Sequence, residues 1–203
     1  MAQQPKILAF AGSLREHSYS KRVVQTAMKG AENAGADVTY IDLSDYPMPI
    51  YNADDHEKNG FDPNASKLQK LLNEHDGLLI ASPEYNSSLP AALKNMIDWT
   101  SRQNDELKMG AVFRGKVAGI ITASPGAFGG IRCLGHLRDV LTILLVQTLP
   151  SEIAVGKVHE MFDGDGEEMK DEKMKKILEN LGASLVDILK KTHGEVVAAA
   201  SKQ

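Results

Sequence analysis

The chain lacks most of the features that mark specialised classes of protein. Its single cysteine, Cys133, excludes a disulfide framework and a cysteine-based metal site, and its six histidines are dispersed without ligand spacing. The apolar run near the N-terminus is too short for a signal peptide or a membrane span, so we expect a cytoplasmic protein with no membrane partner. Basic residues form no cluster and the net charge is −4, so we expect no nucleic-acid partner.

The composition is that of an ordinary globular protein. Apolar residues make up 42% and charged residues 25% of the 203 residues, which is enough to bury a core without cross-links. We therefore expect residues 1–203 to form a single domain.

Short apolar segments alternate with segments of helical periodicity along the chain. Strands are predicted at 6–11, 38–43, 77–82, 117–123 and 144–149. Helices are predicted at 19–35, 64–75, 90–101, 130–143 and 171–192, and a long polar loop at 44–63. This alternation indicates an α/β fold: a flavodoxin-like, doubly wound, five-stranded parallel sheet of order 2-1-3-4-5, with helices on both faces. In such folds ligands bind beyond the carboxyl ends of the strands.

The loop after the first strand has the composition of an anion site. Ser13, Ser18 and Ser20 supply hydroxyl donors and Arg15 a charged fork, directly before a predicted helix. The first amides of a helix have no internal acceptor, and the helix dipole is positive there, so this loop is suited to a phosphate. The dinucleotide fingerprint and the Walker loop are both absent. The alternative is a serine cap on the helix, which would explain one serine but not all three with Arg15.

Two further loops follow the third and fourth strands. The segment after Ser82 combines Pro83, Tyr85 and Asn86, a mixture of apolar surface and directed polar groups that suits a planar heterocycle. The segment 124–130 carries three glycines, which allow a ligand to approach the backbone closely. Taken singly, the first could be an ordinary turn and the second a flexible connection. Together with the serine loop they would lie at one edge of the sheet.

These residues resemble the NADPH-dependent FMN reductase family, which includes bacterial quinone, chromate and azo reductases. The resemblance covers at least residues 6–150. It rests on Gly12–Arg15 with Ser18, on Pro83–Asn86 and the following Pro90–Trp99, and on Ser124–Gly126 with Gly129 and Gly130.

The resemblance implies non-covalent binding of FMN. Its phosphate would be held by Ser13, Arg15, Ser18 and Ser20; its ring would be bordered by Pro83, Glu84, Tyr85 and Asn86 on one side and by Ser124 and Gly126 on the other. Ser20 stands where the family usually has asparagine, a longer side chain. The segment 104–110 is longer than the family pattern, and the resemblance gives it no role.

The implied activity is that of an FMN-dependent NAD(P)H oxidoreductase with ping-pong kinetics. NADPH or NADH would reduce the flavin, and a small acceptor would reoxidise it: a quinone, an azo dye, chromate, a ferric chelate or a flavin. No side chain is predicted to act as a nucleophile or metal ligand. The apolar stretch around 130–145 exceeds what one sheet face needs, and with the resemblance it predicts a homo-oligomer, either a dimer or a tetramer.

Two other functions remain compatible with the residues. A flavodoxin-type electron carrier would share the fold and FMN but lack turnover with NAD(P)H. Such carriers are usually more acidic and lack an arginine in the phosphate loop, so Arg15 argues against this function. A phosphate-binding regulator without redox chemistry would be colourless.

Overall fold

The computed structural model describes residues 4–163, 166 and 168–200, with side chains as far as Thr192 in the last helix. Among these residues no helix is both long enough and apolar enough to cross a membrane.

A parallel sheet organises the fold. Its strands are β1 (Lys6–Ala11), β2 (Asp37–Asp42), β3 (Gly77–Ser82), β4 (Val117–Ala123), β5 (Gln147–Thr148) and β6 (Ile153–Val155). The order is β2-β1-β3-β4-β5, with β6 also paired to β4, so the predicted flavodoxin-like order is confirmed. Strands β3 and β4 are buried throughout, as expected for central strands covered on both faces.

The fifth position of the sheet differs from the prediction of one strand over 144–149. Strand β5 pairs with the start of β4, and β6 pairs with its end, so two short segments share one neighbour. Leu145 lies outside the strand with a φ of 61°, which ends the preceding helix and delays the strand. Between the two segments Pro150 lacks the amide that a continuous ladder requires.

Helices cover both faces of the sheet. They are α1 (Tyr19–Asn33), α2 (Ala53–Asn59), α3 (Pro63–Glu74), α4 (Ala91–Thr100), α5 (Ile131–Ile143) and α6 (Glu172–Ala200). Helices α1 and α6 share one apolar core with the sheet, and α3, α4 and α5 share the other. The five predicted helices are all present, with α6 extending beyond the predicted residue 192.

Helices α1 and α6 cross at two glycines. A Cβ built on Gly30 would lie 1.9 Å from the backbone oxygen of Glu179, and one built on Gly182 would lie 2.1 Å from that of Ala27. Both distances are shorter than any real contact, so the crossing depends on the absence of side chains at these two positions.

The predicted long loop at 44–63 contains the unpredicted helix α2. Asn52 caps α2 by accepting a hydrogen bond from the amide of Asp54 at 3.0 Å. No residue of α2 is buried, so the helix has no apolar stripe that periodicity could reveal.

The segment before α2 is fastened to α4. Pro49 O accepts hydrogen bonds from Trp99 Nε1 at 2.8 Å and from Asn95 Nδ2 at 2.9 Å. The Asn95 carbonyl in turn accepts from the amide of Tyr51 at 2.9 Å. This side of α4 therefore has a structural role.

The segment 104–110 is also held by a buried side chain. Gln69 Nε2 donates to Thr100 O at 3.0 Å and to Arg102 O at 2.7 Å, while Gln69 Oε1 accepts from Asn104 Nδ2 at 2.7 Å. Gln69 is 1% exposed, and each of its polar atoms is paired. Gln69 thus fixes the end of α4 and the first residue of the segment to α3.

Candidate functional site

Three loops meet at the carboxyl edge of the sheet because strands β1, β3 and β4 are neighbours. Ala11 pairs with Ala81 at the end of β1, and Ser82 pairs with Thr122 where β3 meets β4. All ten predicted site residues lie on the connections that leave these three ends or in the first turn of α1. The sheet order therefore brings the three predicted loops side by side.

The first loop and the first turn of α1 bury three serines. Ser13, Ser18 and Ser20 are 3%, 4% and 2% exposed. Ser18 is the N-cap residue of α1 by position, but its side chain makes no capping hydrogen bond. The cap interpretation thus does not account for Ser18, and the first amides of α1 lack intrahelical acceptors. Arg15 is exposed.

An ion pair that the sequence did not reveal joins the start of α1, directly after this loop, to the sheet. Lys21, in the first turn of α1, donates a hydrogen bond to the carboxylate of Asp42 at the end of β2. Burial raises the pKa of Asp42, but hydrogen bonds from Lys21 and Ser44 outweigh burial and hold this pKa below its ordinary value. The pair fixes a positive charge beside the loop, and it requires β1 and β2 to be adjacent.

A cavity of about 400 Å³ connects the first loop to the second, within the range of roughly 300–1,000 Å³ typical of small-molecule sites. It is lined by Gly12, Leu14, Arg15, Tyr85, Pro90, Ala91 and Ala92. Of the predicted site residues, Arg15 and Tyr85 share this lining. The start of α4 was recognised in the sequence as a helix but not as a cavity wall; the three residues that it contributes, Pro90, Ala91 and Ala92, are small.

The second loop forms a two-residue turn with an unusual backbone. Tyr85 and Ser88 exchange backbone hydrogen bonds of 3.0 Å in both directions. Asn86 and Ser87 between them have φ values of 49° and 66°, which makes this a type I′ turn without glycine. Positive φ at a serine is costly, and such strain is found mainly where surrounding structure enforces it. Tyr85 is 49% exposed beside the cavity.

The carboxylate of Glu84 contacts α5, and Glu84 is not part of the cavity lining. Its Oε2 accepts a hydrogen bond from the amide of Cys133 at 3.0 Å, and its Oε1 lies 3.6 Å from the guanidinium of Arg132. Any contact of Glu84 with a bound ring would therefore come from its backbone. Burial raises the pKa of the neighbouring Cys133 thiol, which disfavours the thiolate that a nucleophile requires.

The third loop is fixed by the end of β6 and by the chain that follows it. Ser124 N donates to Val155 O at 3.1 Å, Val158 N to Ser124 O at 3.2 Å, and Lys157 N to Gly126 O at 3.0 Å. Gly126 N donates to Ser124 Oγ at 3.1 Å. The loop is therefore held by its neighbours, unlike the flexible connection that its glycines suggested. Ser124 and Gly126 lie outside the lining of the cavity described above.

Comparisons with known proteins agree with this architecture. Residues 5–160 match the model of the NADPH-dependent FMN reductase family. The chain is 35% identical over 184 residues to an NAD(P)H-dependent FMN reductase of Pseudomonas aeruginosa, covering 90% of this chain and 95% of that protein. It is 37% identical over 145 residues to a quinone reductase of Escherichia coli, covering 71% and 73% of the two chains.

Among solved structures, the chain is similar to the flavoenzyme NAD(P)H:acceptor oxidoreductase of Paracoccus denitrificans. The TM-score is 0.74 at 26% identity, over 92% of this chain and 98% of that one. The match of the family model and the two sequence relatives extend well beyond the three motifs. The chain therefore belongs to the NADPH-dependent FMN reductase family.

Proposed function

We propose that this chain is an FMN-dependent NAD(P)H oxidoreductase that passes electrons to a quinone or a similar small acceptor. One observation carries the proposal: a single cavity joins Arg15 of the serine loop to Tyr85 of the second loop. Arg15 provides a positive charge for a phosphate, and Tyr85 provides a flat apolar surface. The names of the sequence relatives support reductase activity with NAD(P)H and with quinones.

The donor set suits the phosphate of FMN. Ser13, Ser18 and Ser20 supply hydroxyls, the first turn of α1 supplies amides, and Arg15 supplies a guanidinium. Each of these groups prefers a phosphate to a neutral ligand. We assign the phosphate to these residues.

The second and third loops suit the ring. Pro83, the backbone of Glu84, Tyr85 and Asn86 would border one side of it, and Ser124 and Gly126 the other. Because Gly126 already donates its amide to Ser124 Oγ, backbone donors to the ring are better supplied by the turn at Asn86 and by the start of α4.

When bound, FMN supplies the redox chemistry: it can take up two electrons as a hydride and release them singly or as a pair. The protein would bind the cofactor through Arg15 and the serines, and orient it against the turn that begins at Tyr85. The cavity would admit NAD(P)H and the acceptor in turn, which predicts ping-pong kinetics. None of these steps requires a protein nucleophile or a protein-bound metal.

The visible spectrum of the purified protein, followed by anaerobic addition of NADPH, tests the proposal. Oxidised flavin bands that bleach with NADPH would support it. Bands that bleach with dithionite but not with NADPH or NADH would replace it with the electron carrier. A colourless protein that takes up no added FMN would refute it and leave a phosphate-binding regulator.

We also propose a cytoplasmic homo-oligomer, either a dimer or a tetramer. The support is the apolar surface on and after α5, where Ile131, Ile143 and Leu145 are 58%, 82% and 52% exposed. A reductase that uses NAD(P)H needs a compartment that holds a pool of it, and the cytoplasm is one. A light-scattering mass equal to one chain would contradict the oligomer.

A further inference from the structure

The strained turn at Tyr85–Ser88 is attached to α5 at both of its ends. Glu84, just before the turn, accepts the amide of Cys133, and Ser88 Oγ lies 2.9 Å from His136 Nδ1. Cys133 and His136 are three residues apart and therefore lie on the same side of the helix. Helix α5 thus contacts the Glu84–Ser88 segment through two of its residues, which lie about one helical turn apart.

The first attachment is electrostatically favourable. The carboxylate of Glu84 lies at the N-terminus of a 13-residue helix, where the helix dipole favours a negative charge. Arg132 adds a positive charge 3.6 Å away, but its side chain is 59% exposed, so water screens this attraction even though Glu84 itself is 15% exposed. The hydrogen bond from the Cys133 amide therefore carries more of this attachment than the ion pair does.

Gly130 makes room for this contact. It has a φ of 84°, and a Cβ built on it would lie 3.2 Å from Glu84 Cβ and 3.1 Å from Thr122 Cβ. A side chain at position 130 would press against the Cβ atom of Glu84 and would also strain the backbone. The approach of Glu84 to α5 thus depends on the glycine at the N-cap position.

The turn needs such support because it cannot hold its own conformation. Two backbone hydrogen bonds close it, and an isolated pair of this kind is marginal in water. Ser87 adds the cost of a positive φ without the freedom of glycine. The hydrogen bond between His136 and Ser88 holds the residue that follows the strained Ser87.

We propose that Glu84 and His136 are positioning residues that hold the Tyr85–Ser88 turn rigid before any ligand binds. The inference rests on the proposed function only for the ligand, a planar flavin ring beside Tyr85. A turn that is already ordered loses less entropy on binding, so the two residues raise affinity without contacting the ring.

The test measures amide hydrogen exchange at Tyr85 and Ser88 in the full chain, first without added FMN and then with it. The variants are Glu84→Ala, Glu84→Gln and His136→Ala. Glutamine keeps an oxygen that accepts the Cys133 amide but removes the charge. The matched control is Glu152→Gln, which breaks the ion pair with Arg138 of the same helix, away from the turn.

We expect both amides to exchange about tenfold faster in Glu84→Ala and His136→Ala, and no faster in Glu152→Gln, with exchange in the core of β3 unchanged. Glu84→Gln should restore most of the protection. The dissociation constant of FMN should rise about tenfold in the two alanine variants, which corresponds to about 1.4 kcal/mol. The visible circular dichroism of the bound flavin should change with it.

Three results would overturn the inference. Wild-type protection at both amides in Glu84→Ala and His136→Ala would show that α5 does not hold the turn. Faster exchange with an unchanged dissociation constant would refute preorganisation. Equal loss in Glu152→Gln would indicate general destabilisation.

If the wild-type protein binds no FMN while the alanine variants still lose protection, the proposed function fails but the attachment to α5 stands. Should Glu84→Ala not fold, His136→Ala and Glu84→Gln carry the test.

Discussion

Lys21 and Asp42 join the first turn of α1 to the end of β2 through a largely buried ion pair. The Lys21 side chain is 10% exposed and that of Asp42 is 25% exposed. A cation in the first turn of a helix is disfavoured by the helix dipole, so the carboxylate also offsets that cost. The pair therefore ties the candidate phosphate loop to the edge of the sheet.

Replacing Asp42 by asparagine should lower the free energy of unfolding at neutral pH by about 1–3 kcal/mol, because Lys21 loses its charged partner. Since the pKa of Asp42 in the folded protein is below the ordinary 3.8, its contribution is present above that pH and is lost as the pH falls through the folded pKa. Urea unfolding of both proteins should therefore differ at neutral pH and converge below about pH 4. Asp98→Asn, which breaks the exposed pair with Lys94, should change stability by less than about 0.5 kcal/mol.

Tyr40 should make the protein sensitive to alkaline pH. Burial and the charges of Asp42 and Asp45 raise its pKa from 10.0 to about 12. The folded state favours the neutral phenol, so the stability it contributes is full below pH 10 and is lost as the pH rises through the folded pKa. Tyr40→Phe should remove about 1 kcal/mol of the alkaline loss. Unfolding curves across this pH range check it, and identical alkaline losses in the two proteins would contradict it.

Gly182→Ala should destabilise the protein by at least about 3 kcal/mol, because the new methyl group meets a backbone oxygen that cannot move aside. Gly135→Ala is the matched control, since nothing lies within 4 Å of a Cβ on this helical glycine. The control should be neutral or stabilising by up to about 1 kcal/mol. Thermal or urea unfolding compares the two, and equal effects would show that α1 and α6 can separate.

Arg15→Ala should weaken FMN binding by about 10- to 100-fold, the expected effect of losing a charged hydrogen bond worth about 1.5–3 kcal/mol. Lys29→Ala removes the same charge from the exposed far half of α1 and should leave the affinity within about twofold at moderate salt. Quenching of flavin fluorescence measures both. An unchanged dissociation constant in Arg15→Ala would place the phosphate elsewhere.

Much of the fold was predictable because its signals are local. Strands β1, β3 and β4 are short apolar runs bounded by turn residues, and their alternation with helices determines the parallel topology. The interruption of the fifth strand position was not predictable from the same signals. It depends on how Leu145 ends α5 and on which part of β4 each segment meets.

The candidate site was predictable as a set of loops but not as a set of contacts. The serines and Arg15 are close in sequence, so their shared role could be inferred. The contact between Glu84 and Cys133 spans 49 positions, and no pattern of residue types reports it. The roles of the ten site residues in binding FMN stay predictions until they are measured. The family expected from the motifs is confirmed.

The attachment of the third loop to the end of β6 and the chain after it has a consequence for the order of events during synthesis. The backbone of Ser124 and Gly126 is held by Val155, Lys157 and Val158, which leave the ribosome about thirty residues later. A nascent chain that ends before these residues contains β1 to β5 but lacks the backbone partners that hold the third loop. The third loop should therefore take its final form late, after β6 has joined β4 and the residues that follow it have emerged.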